Sequence, residues 1–303
     1  LLKLFYYRDG RGNFGDDLNP WIWYSLYPGM FDDQAPDHML GIGTLINDRA
    51  PRNGRIWVCG SGAGYHGAAP VSENWNFVFV RGPRTAARMQ LPLDKAITDP
   101  AILVADLLDR RPRQASSICY MPHHDSIWRA DWRGICKKLG LVYLDPADDI
   151  HETIFKMCRS KFVIAEAMHA AIVADALRVP WVPVKAYSHI LDFKWQDWAE
   201  SLALDYQPET LPEVWDVEQF RSRGEIFKSN VKKRLMRMGM DASNWTPPLP
   251  DNNASRAMGP LLERLADCRD RASVVLSSDH AHHEARRRIL ATMDAFAASR
   301  DAA

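Results

Sequence analysis

Three groups of side chains in this sequence have the types and spacing to do chemistry. In "KFVIAEAMHAAIVADALRVPWVPV", Lys161 to Val184, Glu166 and His169 sit three residues apart inside a strongly apolar stretch. In "VRGPRTA", Arg81 and Arg84 flank the start of a helix. In "PHHD", His123 and His124 follow another apolar run. An imidazole exchanges protons near neutrality, so His169 is a candidate general acid or base. The bland alternative is that it caps its helix or is a satisfied core histidine. Two arginines at a helix N-terminus, where the dipole is already positive, make sense when an anion sits between them and free N–H groups. The alternative there is that Arg81 pairs with a structural carboxylate such as Asp99 of "TDPAIL". "PHHD" reads as a pocket-lining loop rather than a metal site, because adjacent histidines rarely ligate one ion from a loop and no second cluster has suitable spacing.

Two further motifs are placed beside strand ends. In "NFGDDLNP", Asn13 to Pro20, Asp16 and Asp17 are positioned to cap a helix. A second role, gripping a hydroxyl-bearing substrate, is open to them. "GAGYHG", Gly62 to Gly67, fits G-x-G-x-x-G, but "AAPVSENWN" follows it with no helical face, and the next strand runs into Arg81 rather than an acid. That context argues against a dinucleotide site. Gly62 and its neighbours instead let backbone approach a ligand or a neighbouring loop.

The elements that must position these groups alternate between strand and helix. "LKLFYY", "HMLGIGTLI", "RIWVCGSGAG" and "NFVFVRGPRTAARMQ" each begin as a short strand and run into a turn, with Pro83 suited to a first helical turn and "WIWYSLYP" a helix. After the charged, proline-bearing segment Asp109 to Gln114, a linker, the alternation restarts with "SSICYMPHH". Strands alternating with helices predict an α/β fold with mostly parallel sheets, divided into units 1–110 and 111–203 with a helical C-terminal section, 204–303. Phe162 to Ala165 is then a buried strand, Met168 to Leu177 a helix, and Glu166 to His169 the turn at the strand's carboxyl end, where open α/β sheets bind ligands.

Composition narrows the function classes. The 303 residues carry 38 Lys plus Arg against 38 Asp plus Glu, so nothing in the global charge points to nucleic acid and any anion site must be local. Five scattered cysteines without a CxxC pair suggest a reducing compartment and no structural zinc. The opening residues are too short and polar for a signal peptide, and charges interrupt them before a membrane span could form. Between Arg221 and Arg237 there are seven basic residues and one acid, with apolar residues at helical spacing. Arg221 to Met240 is thus a basic amphipathic helix, suited either to a membrane surface or to packing with a solvated basic face.

Taken in order, "NFGDDLNP", "GIGTLI", "VCGSGAG", "VRGPRTA", "TDPAIL", "PHH" and "EAMHAAIVADALRVPWVPV" resemble the polysaccharide pyruvyl transferase family over about residues 1 to 190. The resemblance implies two Rossmann-like domains facing a cleft, as in GT-B glycosyltransferases. It implies transfer of the enolpyruvyl group of phosphoenolpyruvate onto two sugar hydroxyls, with no cofactor or metal. The acceptor it implies is a lipid-linked oligosaccharide or polysaccharide of the succinoglycan or xanthan type, at the cytoplasmic face of the membrane. By motif, His169 is the catalytic residue, and Arg81, Arg84, Lys185 and His123 serve the donor. Asn13, Asp16, Asp17, Gly62, Glu166 and His124 line the cleft or the acceptor side. Glu166 stands where many members have serine, so its role is open. The competing class is a GT-B glycosyltransferase using a nucleotide sugar; fold cannot separate the two, but no acidic ribose-binding stretch occurs late in the second unit.

Overall fold

The computed structural model describes residues 1–8, 10, 12–64, 71–108, 115–127, 129–214, 257–271 and 273–301. The "YHG" of the glycine motif, the linker segment Asp109 to Gln114 and the basic segment Arg221 to Met240 lie outside the described residues.

The first unit holds a parallel sheet in the order β1 (Lys3–Phe5), β2 (His38–Leu40), β3 (Ile56–Cys59), β4 (Trp75–Phe79). The second holds a parallel sheet in the order β6 (Val142–Tyr143), β5 (Ser117–Met121), β7 (Ser160–Ala165), β8 (Trp181–Lys185), β9 (Glu209–Thr210). Two parallel α/β units are what the alternation predicts. The last strand of the second sheet lies beyond residue 203, inside the stretch read from sequence as helical. The helices are α1 (Phe14–Leu26), α2 (Pro83–Arg88), α3 (Trp132–Leu139), α4 (Ile150–Cys158), α5 (Met168–Ala176), α6 (Asp192–Ser201), α7 (Met258–Arg271) and α8 (Asp279–Asp301), with 3-10 turns at Leu93–Lys95 and Pro100–Asp106.

β7 runs into α5 much as the apolar pattern predicts, and α5 is buried on nearly every side. It packs against the 3-10 turn Pro100–Asp106 of the first unit as well as against its own sheet. α1 begins earlier than the sequence reading placed it and carries Pro20 in its interior. A proline there removes the N–H that would bond the carbonyl four residues back. Asn19 Nδ2 supplies a donor instead, to the Asp16 carbonyl at 3.1 Å and also to the Ile42 carbonyl at 3.0 Å, while its Oδ1 accepts from Ile42 N at 2.7 Å. One buried amide thus repairs the helix and pins it to the turn after β2.

The two units are bolted together by helices that cross between them. α6 packs on α2, and α8 returns to pack on β4 and the Pro100–Asp106 turn. Arg286 bonds Asp106, and the Phe14 N–H donates to the Pro146 carbonyl across the interface at 2.7 Å. The C-terminal helices therefore serve both sheets rather than forming a separate body: α7 packs on α3 of the second unit.

Candidate active site

A cleft of about 430 Å3 opens where the carboxyl ends of the two sheets face each other. From the first unit come Phe5, Tyr7, Asn13, Gly15 and Asp16, with the turn from Gly43 to Arg49; from the second come His123, His124, Asp125, His169 and His189, and Lys194 of α6.

His169 occupies the first turn of α5. The helix's N-cap residue, Ala167, offers no side-chain acceptor, so the positive end of the helix is turned toward the cleft that Ala167 and Met168 line. His169 Nε2 faces Asp99 Oδ2 at 3.6 Å, and neither atom has a hydrogen-bond partner of its own. Asp99 is fully buried, and its other oxygen caps the Pro100 turn by accepting from Ala101 N at 3.0 Å. The Asp99 carboxylate therefore stands directly behind the imidazole. The other ring nitrogen lies over Gly15. A Cβ there would stand 1.9 Å from His169 Nδ1, so only glycine allows the ring to seat against α1.

Arg81 and Arg84 do not converge on the cleft. Arg81 is fully buried and bonds Asp197 of α6 at 3.0 Å, Thr44 Oγ1 at 3.1 Å and the Ala63 carbonyl at 3.3 Å. Asp197 also accepts from Thr85 N at 2.8 Å and Thr85 Oγ1 at 2.6 Å. Arg84 forms a forked, partly exposed pair with Glu200, also on α6. Both guanidiniums therefore clasp α6 to the first unit. The carboxylate partner anticipated for Arg81 exists, but it is Asp197; Asp99 faces His169. Gly62 belongs to the clasp too, since a Cβ there would lie 2.2 Å from the Arg81 guanidinium carbon.

The charge in the cleft is supplied by other groups. Lys194 is buried, and burial, together with the Arg81 charge, lowers its pKa to about 7 against the pull of Asp16 and Asp125. Burial also lowers His189 to about 4 and holds His123 well below the ordinary imidazole range, with neighbouring His124 and Lys194 adding to the effect on His123. The three imidazoles cluster: the His123 ring lies 4.4 Å from that of His124 and 5.1 Å from that of His189. His123, His124 and Asp125 bring three ligand-capable atoms within 4.8 Å of one another. One of the ring nitrogens of His123, Nδ1, already accepts from Asp125 N at 3.2 Å.

Glu166 lies beneath this cluster, fully buried. Its carboxylate accepts from His123 N at 2.9 Å and Ala186 N at 3.3 Å, so it ties the loop after β5 to the loop after β8. Burial raises its pKa to about 7, opposed by these hydrogen bonds, by Ser126 and by the charge of Arg129. Of the other sequence candidates, Asn13 rather than the aspartates caps α1, accepting from Gly15 N at 3.3 Å, and Asp17 accepts in return from Asn13 N at 2.9 Å. Asp16 is the aspartate that faces the cleft. Lys185 is held by Asp192 at 2.8 Å and lines a neighbouring shallow groove.

Sequence reasoning missed Lys194, His189, Arg49 and Tyr7, and the pairing of Asp99 with His169. His189 had a usable signal, since it follows the carboxyl end of β8. Lys194 had a weaker one, a lysine next to Trp195 in a helix whose tryptophans are buried.

Fold and cleft together describe a two-unit α/β protein with a candidate site between the units. A family model described as polysaccharide pyruvyl transferase matches residues 26–189, just over half of the chain. The succinoglycan biosynthesis protein ExoV of Rhizobium meliloti (strain 1021) is 39% identical over 215 residues, covering 70% of this chain and 68% of that protein. No solved structure matches. The chain belongs to the polysaccharide pyruvyl transferase family, and it is a transferase. No helix among the described residues is long and apolar enough to cross a membrane.

Proposed function

We propose that the chain is a ketal pyruvyltransferase that moves the enolpyruvyl group of phosphoenolpyruvate onto two hydroxyls of one sugar in an exopolysaccharide precursor. The likeness to a succinoglycan biosynthesis protein supports a succinoglycan-like repeat as that precursor. The observation that carries the reading is the His169–Asp99 pair at the mouth of α5, in the same cleft as a cluster of nitrogen bases. Phosphoenolpyruvate presents a carboxylate and a phosphate on three carbons. Lys194, His123, His124 and His189 offer donors at short range, and the uncapped end of α5 adds positive potential. The electrostatics suit a ligand that brings its own negative charge: bases kept neutral by burial become protonated when an anion enters.

In this reading His169 delivers a proton to C3 while the first sugar hydroxyl adds to C2 and gives up its own. Phosphate then leaves with the C–O electron pair, and the resulting oxocarbenium-like centre is captured by the second hydroxyl, which loses the second proton. One proton has gone to the methyl group and the other leaves with phosphate, so the reaction balances without oxidant or hydride. Asp99, 3.6 Å behind the ring, is the group that would orient it for that transfer.

The test is a donor competition. Carbon-labelled phosphoenolpyruvate and labelled nucleotide sugars are offered separately with a cell-envelope extract. Label and stoichiometric phosphate release from phosphoenolpyruvate support the reading. Label from a nucleotide sugar instead would make the protein a glycosyltransferase on a similar fold, and transfer from neither would assign it a non-catalytic role.

A further inference from the structure

The sequence argument against a metal at "PHHD" is that adjacent histidines in a loop rarely meet on one ion. In the structure that loop is a tight turn. Ser126 N closes it by donating to the His123 carbonyl at 2.8 Å. Glu166 anchors its start by accepting from His123 N at 2.9 Å, and Trp132 Nε1 anchors its end by donating to the Ser126 carbonyl at 2.8 Å. Three side chains are thereby gathered toward one point: ligand-capable atoms of His123, His124 and Asp125 lie within 4.8 Å of one another.

The separations fit an ion. Asp125 Oδ2 stands 3.4 Å from His124 Nε2 and 3.9 Å from His123 Nδ1. Bonds of about 2.0–2.1 Å in a tetrahedron put neighbouring ligand atoms about 3.4 Å apart. His123 Nδ1 accepts from Asp125 N at 3.2 Å, so it presents a lone pair, the form in which an imidazole ligates. That hydrogen bond is at the long limit for its kind, and it is the one an ion would replace. His123 is buried, whereas the His124 and Asp125 side chains are 32% and 60% exposed, and all three line the cleft. Three protein ligands beside an open cavity are the pattern of a site that keeps one coordination position for a ligand. Two nitrogens and a carboxylate oxygen suit zinc and its neighbours better than magnesium or calcium, which take oxygen. The charged lining of the cleft sets Asp16 and Asp125 against Arg49 and Lys194, so no standing excess of positive charge bars a cation.

We propose that His123, His124 and Asp125 form a site for a divalent transition metal of the zinc class, with an open position that takes an anionic oxygen of a ligand in the cleft. Glu166 is then a positioning residue: from the end of β7 its buried carboxylate holds the backbone of the ligand turn. The identification of that oxygen with the donor's phosphate or carboxylate rests on the proposed pyruvyl transfer; the metal site itself does not.

Tag-free protein is stripped with a chelator, then titrated with Zn2+ by calorimetry and with Co2+ by visible absorption. His124→Ala and Asp125→Asn should each weaken binding by more than about tenfold. Circular dichroism checks the fold, which changes at these solvent-accessible side chains should leave intact. His280 and His283, exposed and one helical turn apart on α8, are the control: changing both to Ala should leave the turn's affinity as it was. Inorganic phosphate should shift the Co2+ spectrum of wild type by entering the open position. Zn2+ binding weaker than about 1 mM, binding indifferent to His124 and Asp125, or binding lost only in the α8 double variant would overturn the site. A Co2+ spectrum that phosphate leaves unmoved would overturn the open position. A shift with phosphate but none with phosphoenolpyruvate would support the site and sink the pyruvyl reading instead.

Discussion

Two sets of cations meet at the junction of the two units, and the chain treats them oppositely. In the clasp, each guanidinium is matched by a carboxylate of α6: Arg81 by Asp197, Arg84 by Glu200. In the cleft, burial outweighs the nearby carboxylates, and Lys194, His123 and His189 are all driven toward their neutral forms. Arginine cannot shed its proton in a protein, so a buried arginine must be paired and becomes a structural rivet. Lysine and histidine can shed theirs, so they can wait uncharged for an anion. The permanent charges hold the walls together, and the titratable ones line the cleft.

The largest test of this contrast is Arg81→Ala. It leaves Asp197 buried and without its guanidinium, a change that costs about 3–5 kcal/mol in comparable buried pairs. The thermal or urea midpoint should fall steeply, with activity lost as a consequence of unfolding. A stable variant that merely loses donor affinity would return Arg81 to the binding site. Next comes His169→Ala, which should retain the wild-type midpoint while turnover drops by about 10²-fold or more. Normal turnover by the folded variant would remove His169 from the chemistry.

Lys194→Met sharpens the titratable side. Donor affinity should weaken by about tenfold, measured calorimetrically. In wild type, donor affinity should decline as pH rises through about 7, where free Lys194 loses its proton. The stability slope has a defined sign as well. Lys194 binds fewer protons folded than unfolded between about 7 and its ordinary value of 10.5, so wild type should gain stability as pH rises across that window. Lys194→Met should flatten this gain. A pH-independent affinity would mean that Lys194 does not meet the donor. The smallest effect belongs to Arg84→Ala. Its pair with Glu200 is partly exposed, worth less than about 1 kcal/mol, so the midpoint should barely move and the donor constant should not move at all.

The sequence by itself determined the α/β class, the two parallel units, the β7–α5 segment and the placement of His169 at the strand-to-helix junction. These follow from local periodicity and from strand-to-helix order, which neighbouring residues carry. It also singled out Glu166, whose carboxylate in an apolar run had to have a partner, though not that the partners would be two backbone N–H groups from different loops. What each cation meets was decided only by tertiary structure. Arg81 and Asp197 are 116 positions apart; Asp99 and His169 are brought together by the packing of the Pro100 turn on α5; Lys194 faces the cleft because α6 crosses back to α2. Charge is long-ranged and burial is collective, so whether an arginine binds a substrate or closes a seam depends on which carboxylate the fold delivers to it. No local pattern around the residue contains that information.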